Sequence, residues 1–500
     1  MEVYFTGTIE RIIFENISNF YRILLLEIED TNAEDFDDFE IIVTGTMADV
    51  IEGEEYTFWG QIVQHSKYGE QLQITRYERA KPTSKGLIKY FSSSHFKGIG
   101  LKTAQKIVDI YGENTIDKIL EHPEKLQSIS GLSAKSREAF ISTLRLNYGT
   151  EMILAKLANY GIPNKLAIQI LDEYKEETLD VVENYPYHLV EDIKGLGFTI
   201  ADQLAEELGI ESQSPERIRA GIIHSLLNSC MESGDTYVEA RDLLEQTINL
   251  LEFSRPVELD PNQVALELSH LIEEDKVQQI DTKIFDNSLF YAEEGIHKHL
   301  MRILERKENK DENKESIQKY ISTVEKELGI QYDTIQKQAI CDAIQNKVFI
   351  LTGGPGTGKT TVINGIIAVY ALLEGLDLRN KSNLPILLAA PTGRAARRMN
   401  ELTGLPSATI HRHLGMTGDD DTSHLEDYLD ADFIIVDEFS MVDTWLANQL
   451  FSNISSTSKI LIVGDSDQLP SVSPGQVLAD LLQIPSIPQT RLERIYRQSE

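Results

Sequence analysis

The run Gly353-Gly354-Pro355-Gly356-Thr357-Gly358-Lys359-Thr360 carries the clearest chemistry in the chain. Binding a triphosphate needs backbone amides that converge on its oxygens. Glycines allow that close wrap, and the start of a following helix adds positive potential. The spacing Gly-x4-Gly-Lys-Thr, with Thr361 opening an apolar helical stretch, is that of a P-loop. It predicts that Lys359 reaches the β- and γ-phosphates of ATP and that the Thr360 hydroxyl ligates Mg2+. Downstream, Phe433-Ile-Ile-Val ends in Asp437-Glu438. Acids at the C-terminal end of a buried strand face the crevice where α/β sheets hold nucleotides. Asp437 is expected to hold the metal through its water shell, and Glu438 to orient or deprotonate the attacking water. A third strand, Lys459-Ile-Leu-Ile-Val, delivers Gly464-Asp-Ser-Asp-Gln468-Leu-Pro. An amide at Gln468 beside the γ-phosphate would sense hydrolysis, which links chemistry to movement.

These groups need a sheet to hold them. Buried strands alternating with helical stretches predict a mostly parallel α/β lobe over 326–500. Within it Pro385-Ile-Leu-Leu-Ala-Ala leads into Pro391-Thr392-Gly-Arg394-Ala-Ala-Arg-Arg398. Three arginines at a helix start suggest phosphate contact outside the ATP site; the other reading is a solvated helix face. Residues 1–82 read as about five short strands, a small barrel of the OB kind or a docking sandwich. Over 83–212 the pattern turns helical and repeats. Phe96-Lys-Gly98-Ile-Gly100-Leu-Lys102-Thr-Ala, the weaker Ile129-Ser-Gly-Leu-Ser133-Ala-Lys-Ser and Ile193-Lys-Gly-Leu-Gly-Phe-Thr-Ile-Ala share one form. It resembles the helix–hairpin–helix motif, whose glycines and helix amides can hold a DNA phosphate, or which simply packs helices together. Residues 213–305 suggest a helical, winged-helix-like module with a wing around Val277-Gln-Gln-Ile and Ser288-Leu-Phe-Tyr. The polar, sign-alternating 306–325 reads as a linker or a solvated helix face.

Acids outnumber bases 80 to 47, a net charge of −33, which rules out a general positive coat for nucleic acid. Screening over about 8–10 Å still leaves room for a local basic face. Arg79, Lys81, Lys85, Lys89, Lys97, Lys102 and Lys106 form such a stretch with no acid among them. Two distant cysteines offer neither a disulfide framework nor a zinc site. No signal peptide or membrane-spanning run is read, so a cytoplasmic, nucleoid-associated protein with no membrane partner is expected.

Taken in order, these motifs resemble those of superfamily 1 helicases, and more closely the stand-alone bacterial RecD-like group. The carrying residues are Gly-Gly-Pro-Gly-Thr-Gly-Lys-Thr, Ala-Pro-Thr-Gly-Arg-Ala-Ala, Thr-Ile-His-Arg-His-Leu, Asp-Glu-Phe-Ser-Met, Gly-Asp-x-x-Gln-Leu-Pro and Arg-Ile-Tyr-Arg-Gln. The resemblance implies a RecA-like motor lobe that couples ATP hydrolysis to 5′→3′ movement on single-stranded DNA and to duplex unwinding at single/double-strand junctions, in repair or fork processing. It also implies that Gln336 reads adenine, that Tyr496 stacks near it and that Arg497 touches the γ-phosphate. Thr392, Arg394, Thr409 and His411 would line the single-strand path, with His411 and His413 as surface histidines the plainer reading. The motif around Tyr496 opens the second motor lobe in this group, and the later motifs do not occur in these 500 residues. Slow turnover is therefore expected of the chain by itself. A nucleotide-gated DNA-binding adaptor is the alternative from another class. A conjugative relaxase motor ranks lower, because 1–300 lacks a histidine cluster for a nicking site.

Overall fold

The computed structural model describes residues 2–16, 20–33, 36–47, 50–65, 69–79, 84–93, 96–112, 114–306, 314–416 and 428–495. They form two compact units, Met1–Arg217 and Ile218–Glu500.

The first unit opens with β1 (Val3–Asn16), β2 (Tyr21–Thr31), β3 (Glu40–Thr46), β4 (Glu55–His65) and β5 (Gly69–Arg79). They close into a barrel in the order β1-β2-β3-β5-β4, so the OB-like expectation holds. Alternate residues such as Phe5, Leu24, Leu26, Val43, Phe58 and Leu72 fill its interior. Two long strands must bend to close it, and each does so at a bulge beside a glycine. A Cβ on Gly7 would sit 1.9 Å from the Glu27 carbonyl oxygen, and one on Gly60 2.1 Å from that of Gln73.

Among the described residues the helical part holds four hairpins where the sequence suggested three. Gly98, Gly131 and Gly195 take φ of 86°, 93° and 89°, and Gly161 takes 78°. In each, the residue two positions on accepts the first helical hydrogen bond: Ala104 N–H to Gly100, Arg137 to Ser133, Ala167 to Pro163 and Ala201 to Gly197. Those four residues share an extended backbone, with ψ of 171°, 157°, 141° and 167°. The missed copy, Tyr160-Gly-Ile-Pro-Asn-Lys-Leu-Ala167, carries proline in place of the second glycine. In the fourth hairpin, Asp202 accepts from Arg217 Nε at 2.8 Å and Nη2 at 3.0 Å and from the Tyr187 hydroxyl at 2.6 Å, all fully buried.

In the second unit, β6 (Val238–Glu239), helices Ala240–Ser254 and Pro261–Glu273, β7 (Val277–Ile280) and β8 (Lys283–Asp286) follow one another, with sheet order β6-β8-β7. β7 and β8 form an antiparallel hairpin at the first of the two places read as a wing, with β6 beside β8. The expected wing strand at Ser288–Tyr291 is instead the start of helix Asn287–Leu304, because Asp286 Oδ2 caps it by accepting from Ser288 N at 2.9 Å. Of the segment read as a linker, Lys314–Leu328 is helical and sends Ile317, Ile321 and Val324 into the motor core. Residues 307–313 lie outside the described residues.

The motor sheet has strands β9 (Val348–Gly353), β10 (Ile386–Ala390), β11 (Ser407–Thr409), β12 (Phe433–Val436), β13 (Lys459–Gly464) and β14 (Gln489–Leu492), in the order β11-β10-β12-β13-β9-β14. All pairings are parallel. β9, β12 and β13 are buried at every position, as a sheet covered on both faces requires. Successive residues face opposite cores: Ile350, Ile434, Val436 and Ile462 one way, Phe349, Leu351, Ile435 and Leu461 the other.

Candidate active site

Because every motor strand runs the same way, their C-terminal ends form one row. Along it come Thr409 at the end of β11, Thr392 after β10, Asp437 and Glu438 after β12, Asp465 after β13 and the P-loop at the end of β9. At about 4.8 Å between strands, the threonines lie a few strand widths from the phosphate loop. A nucleotide half and a second polar edge thus share one sheet.

Gly356 and Gly358, with φ of 74° and 84°, turn the loop into helix Lys359–Glu374, whose first amides face the crevice. Lys359 Nζ donates to the carbonyls of Gly353 and Gly354, the latter at 2.9 Å, and the buried Thr357 hydroxyl donates to Gly354 O at 2.7 Å. The lysine is folded onto its own loop, within reach of the space the amides enclose. Burial pushes its pKa down, against the attraction of Asp465, Asp437 and Glu438. The same burial raises Asp437, opposed by the Glu438 N–H and by Lys359 and Arg398. Glu438 is raised by burial and by the neighbouring Asp437. Its backbone sits at φ 52°, ψ 39°, a left-handed conformation that costs a glutamate on the order of 1–3 kcal/mol. The Asp437 carboxylate accepts from the Glu438 N–H at 2.8 Å and fixes this turn.

One group here was not singled out from the sequence, and a second was read for a different task. Asp465, almost fully buried, follows Gly464, which pairs with Thr352 at the root of the P-loop, and its charge acts on Lys359. Arg398, expected to serve phosphates outside the ATP site, exerts its field on Lys359, Asp437 and Glu438. Register, not spacing, brings both in. Gln468 lies exposed on the same turn, its N–H donating to Asp465 O at 3.2 Å. Thr360 and Asp437 offer a hydroxyl and a carboxylate, the hard oxygen donors Mg2+ takes beside phosphates and water, so these residues fit that ion.

The other expected residues divide. Gln336 is buried in a capping box: its Oε1 accepts from Asp333 N at 3.0 Å and its own N–H donates to Asp333 Oδ1 at 2.8 Å, and neither bond uses the side-chain NH2. Thr392 and Thr409 are helix N-caps, accepting from Ala395 N and Arg412 N. Arg394 and His411 are exposed, whereas His413 points inward with Nε2 2.8 Å from Leu388 O, and burial lowers its pKa. Tyr496 and Arg497 lie outside the described residues. In the first unit Gly98, Gly100 and Lys102 are exposed at the first hairpin. Lys106 is tied to Ser130 Oγ at 2.9 Å and Lys89 lies 3.4 Å from Glu52, so part of the basic stretch is already engaged. Gly100 and Gly197 leave their helix starts without a side-chain cap, whereas Ser133 caps its own by accepting from Ser136 N.

Comparison with known families matches three stretches. Residues 2–82 match the family described as ATP-dependent DNA helicase YrrC, OB-fold domain. Residues 146–237 match the ATP-dependent RecD2 DNA helicase HHH domain, and residues 336–474 an AAA domain. The ATP-dependent RecD2 DNA helicase of Deinococcus radiodurans is 26% identical over 483 residues, 93% of this chain and 64% of that protein. The RecBCD enzyme subunit RecD of Mycolicibacterium smegmatis is 39% identical over 167 residues, 30% of each chain. A crystal structure of Pif1 helicase from Candida albicans aligns over 34% of this chain and 41% of that one, at 21% identity and a TM-score of 0.25. The chain thus spans under two thirds of the length of the curated relatives named here. An OB domain and a helix–hairpin–helix domain of the RecD2 type thus stand ahead of a P-loop segment, and over most of its length the chain is similar to a RecD2 helicase.

Proposed function

We propose that the chain supplies the ATP-binding half of a DNA helicase that moves 5′→3′ on single-stranded DNA and opens duplex at single/double-strand junctions. Its setting would be the cytoplasm, in repair or at replication forks. Among the described residues no helix is long and apolar enough to cross a membrane. The observation that supports this reading best is the single row of strand ends, in which Lys359, Asp437, Glu438 and Asp465 gather at one end and Thr392 and Thr409 stand at the other. The domain bounds we propose keep 1–82, 83–212 and 213–305 as read from the sequence, while helix Lys314–Leu328, which packs into the motor core, joins the lobe read as 326–500.

In this reading the P-loop amides hold the β- and γ-phosphates of ATP and Lys359 leaves its two carbonyls to meet them. Mg2+, held by Thr360 and Asp437, would supply charge neutralisation at the phosphates. Glu438 accepts the proton of the attacking water. Gln468, on the turn that Asp465 anchors, registers loss of the γ-phosphate. Gln336 contacts adenine through its free NH2, with Tyr496 and Arg497 completing the site.

ATP hydrolysis by this chain, measured with and without single-stranded DNA and with Lys359→Ala as the blank, tests the site. Unwinding of 5′- against 3′-tailed duplexes by a chain carrying both motor lobes tests polarity. Nucleotide-dependent DNA binding that Glu438→Gln leaves unaffected, in a chain with no turnover to lose, would favour the adaptor reading, since a strict binder has no use for water activation.

A further inference from the structure

Oligonucleotides bind OB barrels chiefly on the face of the second and third strands and the loops beside it. Here that face has the wrong charge for a phosphate chain. Residues 2–82 hold 17 acidic and 6 basic side chains, a net charge of −11. Three of the cations are already committed: Arg22 is buried against Glu15 and the Met47 carbonyl, Arg76 stacks 3.9 Å over Trp59, and Arg79 lies by the Tyr56 and Tyr90 rings. Period-two alternation sends Leu24, Leu26, Ile41 and Val43 inward and leaves Tyr21, Ile23, Leu25 and Ile42 on the outer side, exposed or half-buried.

At the end of this apolar strip, Glu27 pairs directly with Glu40 across β2 and β3. Like charges opposite each other destabilise a sheet, and both carboxylates are exposed. Phe39, next to Glu40, is 86% exposed although its carbonyl accepts from Ile28 N at 2.8 Å, so the ring is held out from a fixed backbone. Glu29 and Asp30 continue the negative edge.

We propose that this β2–β3 face docks a segment of a partner protein that carries lysine or arginine beside apolar side chains, and that it does not bind single-stranded DNA. Cations between Glu27 and Glu40 would turn a repelling pair into an attracting cluster, while Phe39 and the strip from Tyr21 to Leu25 take up apolar side chains. A second copy of the chain fits poorly, because both partners would bring a net charge of −33.

The test uses the full chain and three probes: a peptide of alternating lysine and leucine, its glutamate–leucine counterpart, and oligo(dT). Affinity is measured by titration, and the contact is located by hydrogen exchange. The lysine–leucine peptide is expected to protect β2 and β3. The variant Glu27→Gln/Glu40→Gln/Phe39→Ser should bind it at least about tenfold more weakly. A control with the same charge change on β5, Glu70→Gln/Glu78→Gln, should retain the parent affinity. Glu27→Gln alone should unfold no earlier than the parent, which separates lost docking from lost folding. Equal weakening in the control, protection confined to other elements, or protection of β2 and β3 by oligo(dT) would overturn the proposal.

Discussion

Substituting Asp202→Asn strikes the fourth hairpin at its anchor. The carboxylate accepts two hydrogen bonds from Arg217 and one from Tyr187, and both members of the ion pair have side chains only 1% exposed. Arg217 also donates to Ser212 O at 2.9 Å, so its guanidinium cannot swing into water without breaking that bond too. The amide variant keeps the shape but leaves a buried cation without a counter-charge. Breaking one side of such a pair costs about 3–5 kcal/mol, a large share of a total stability of about 5–15. The two units need separate probes, since one transition cannot describe both. The chain has two tryptophans, Trp59 in the first unit and Trp445 in the second, so urea unfolding in a Trp445→Phe background reports the first unit alone. We expect the Trp59 transition to move to lower urea by that amount, and Asp202→Leu/Arg217→Met to recover most of it. A loss below about 1 kcal/mol would refute the assignment of this pair as the hairpin's anchor.

Other outcomes follow from the same geometry. Lys359→Ala should abolish nucleotide binding in a titration, whereas Glu438→Gln should bind ATP and lose about 10²–10⁴ in turnover. Gly98→Ala, at φ 86°, should cost about 1 kcal/mol or more and weaken DNA binding by the first unit, as gel shift or anisotropy would show. His413 resists protonation in the folded lobe because it is buried. As pH falls through the ordinary histidine value of about 6.5, the unfolded chain takes up a proton that the folded chain refuses, so the second unit loses stability on the acid side. A His413→Gln chain whose unfolding by Trp445 fluorescence kept the same acid-side loss would sink that assignment.

Much of the site was legible because its chemistry tolerates few spacings. Four fixed positions, two glycines, a lysine and a threonine, define a phosphate loop, and an apolar strand before an Asp-Glu pair points both acids to the crevice. What stayed hidden depends on contacts between strands or on backbone torsion. Asp465 joins the site through the pairing of Gly464 with Thr352, and no spacing along the chain announces that. Thr392 and Thr409, read as nucleic-acid contacts, also cap helices by accepting at their side-chain oxygens, a second role that their spacing did not announce and that leaves each hydroxyl proton to donate. The third of the four hairpins escaped because Pro163 keeps the extended backbone of a glycine at that place while changing the letter. Ser288–Tyr291 alternates well enough for a strand, but the cap at Asp286 decides for helix.

The left-handed backbone at Glu438 sets two kinds of selection against each other. Glycine would adopt those torsions freely, so Glu438→Gly should make the motor lobe harder to melt while removing the group proposed to take the water's proton. A screen that rewards heat resistance alone would therefore enrich inactive chains at this codon. Libraries aimed at a tougher enzyme should hold the position fixed, and the same substitution arising spontaneously in a population would mark a gene released from its duty and not one improved.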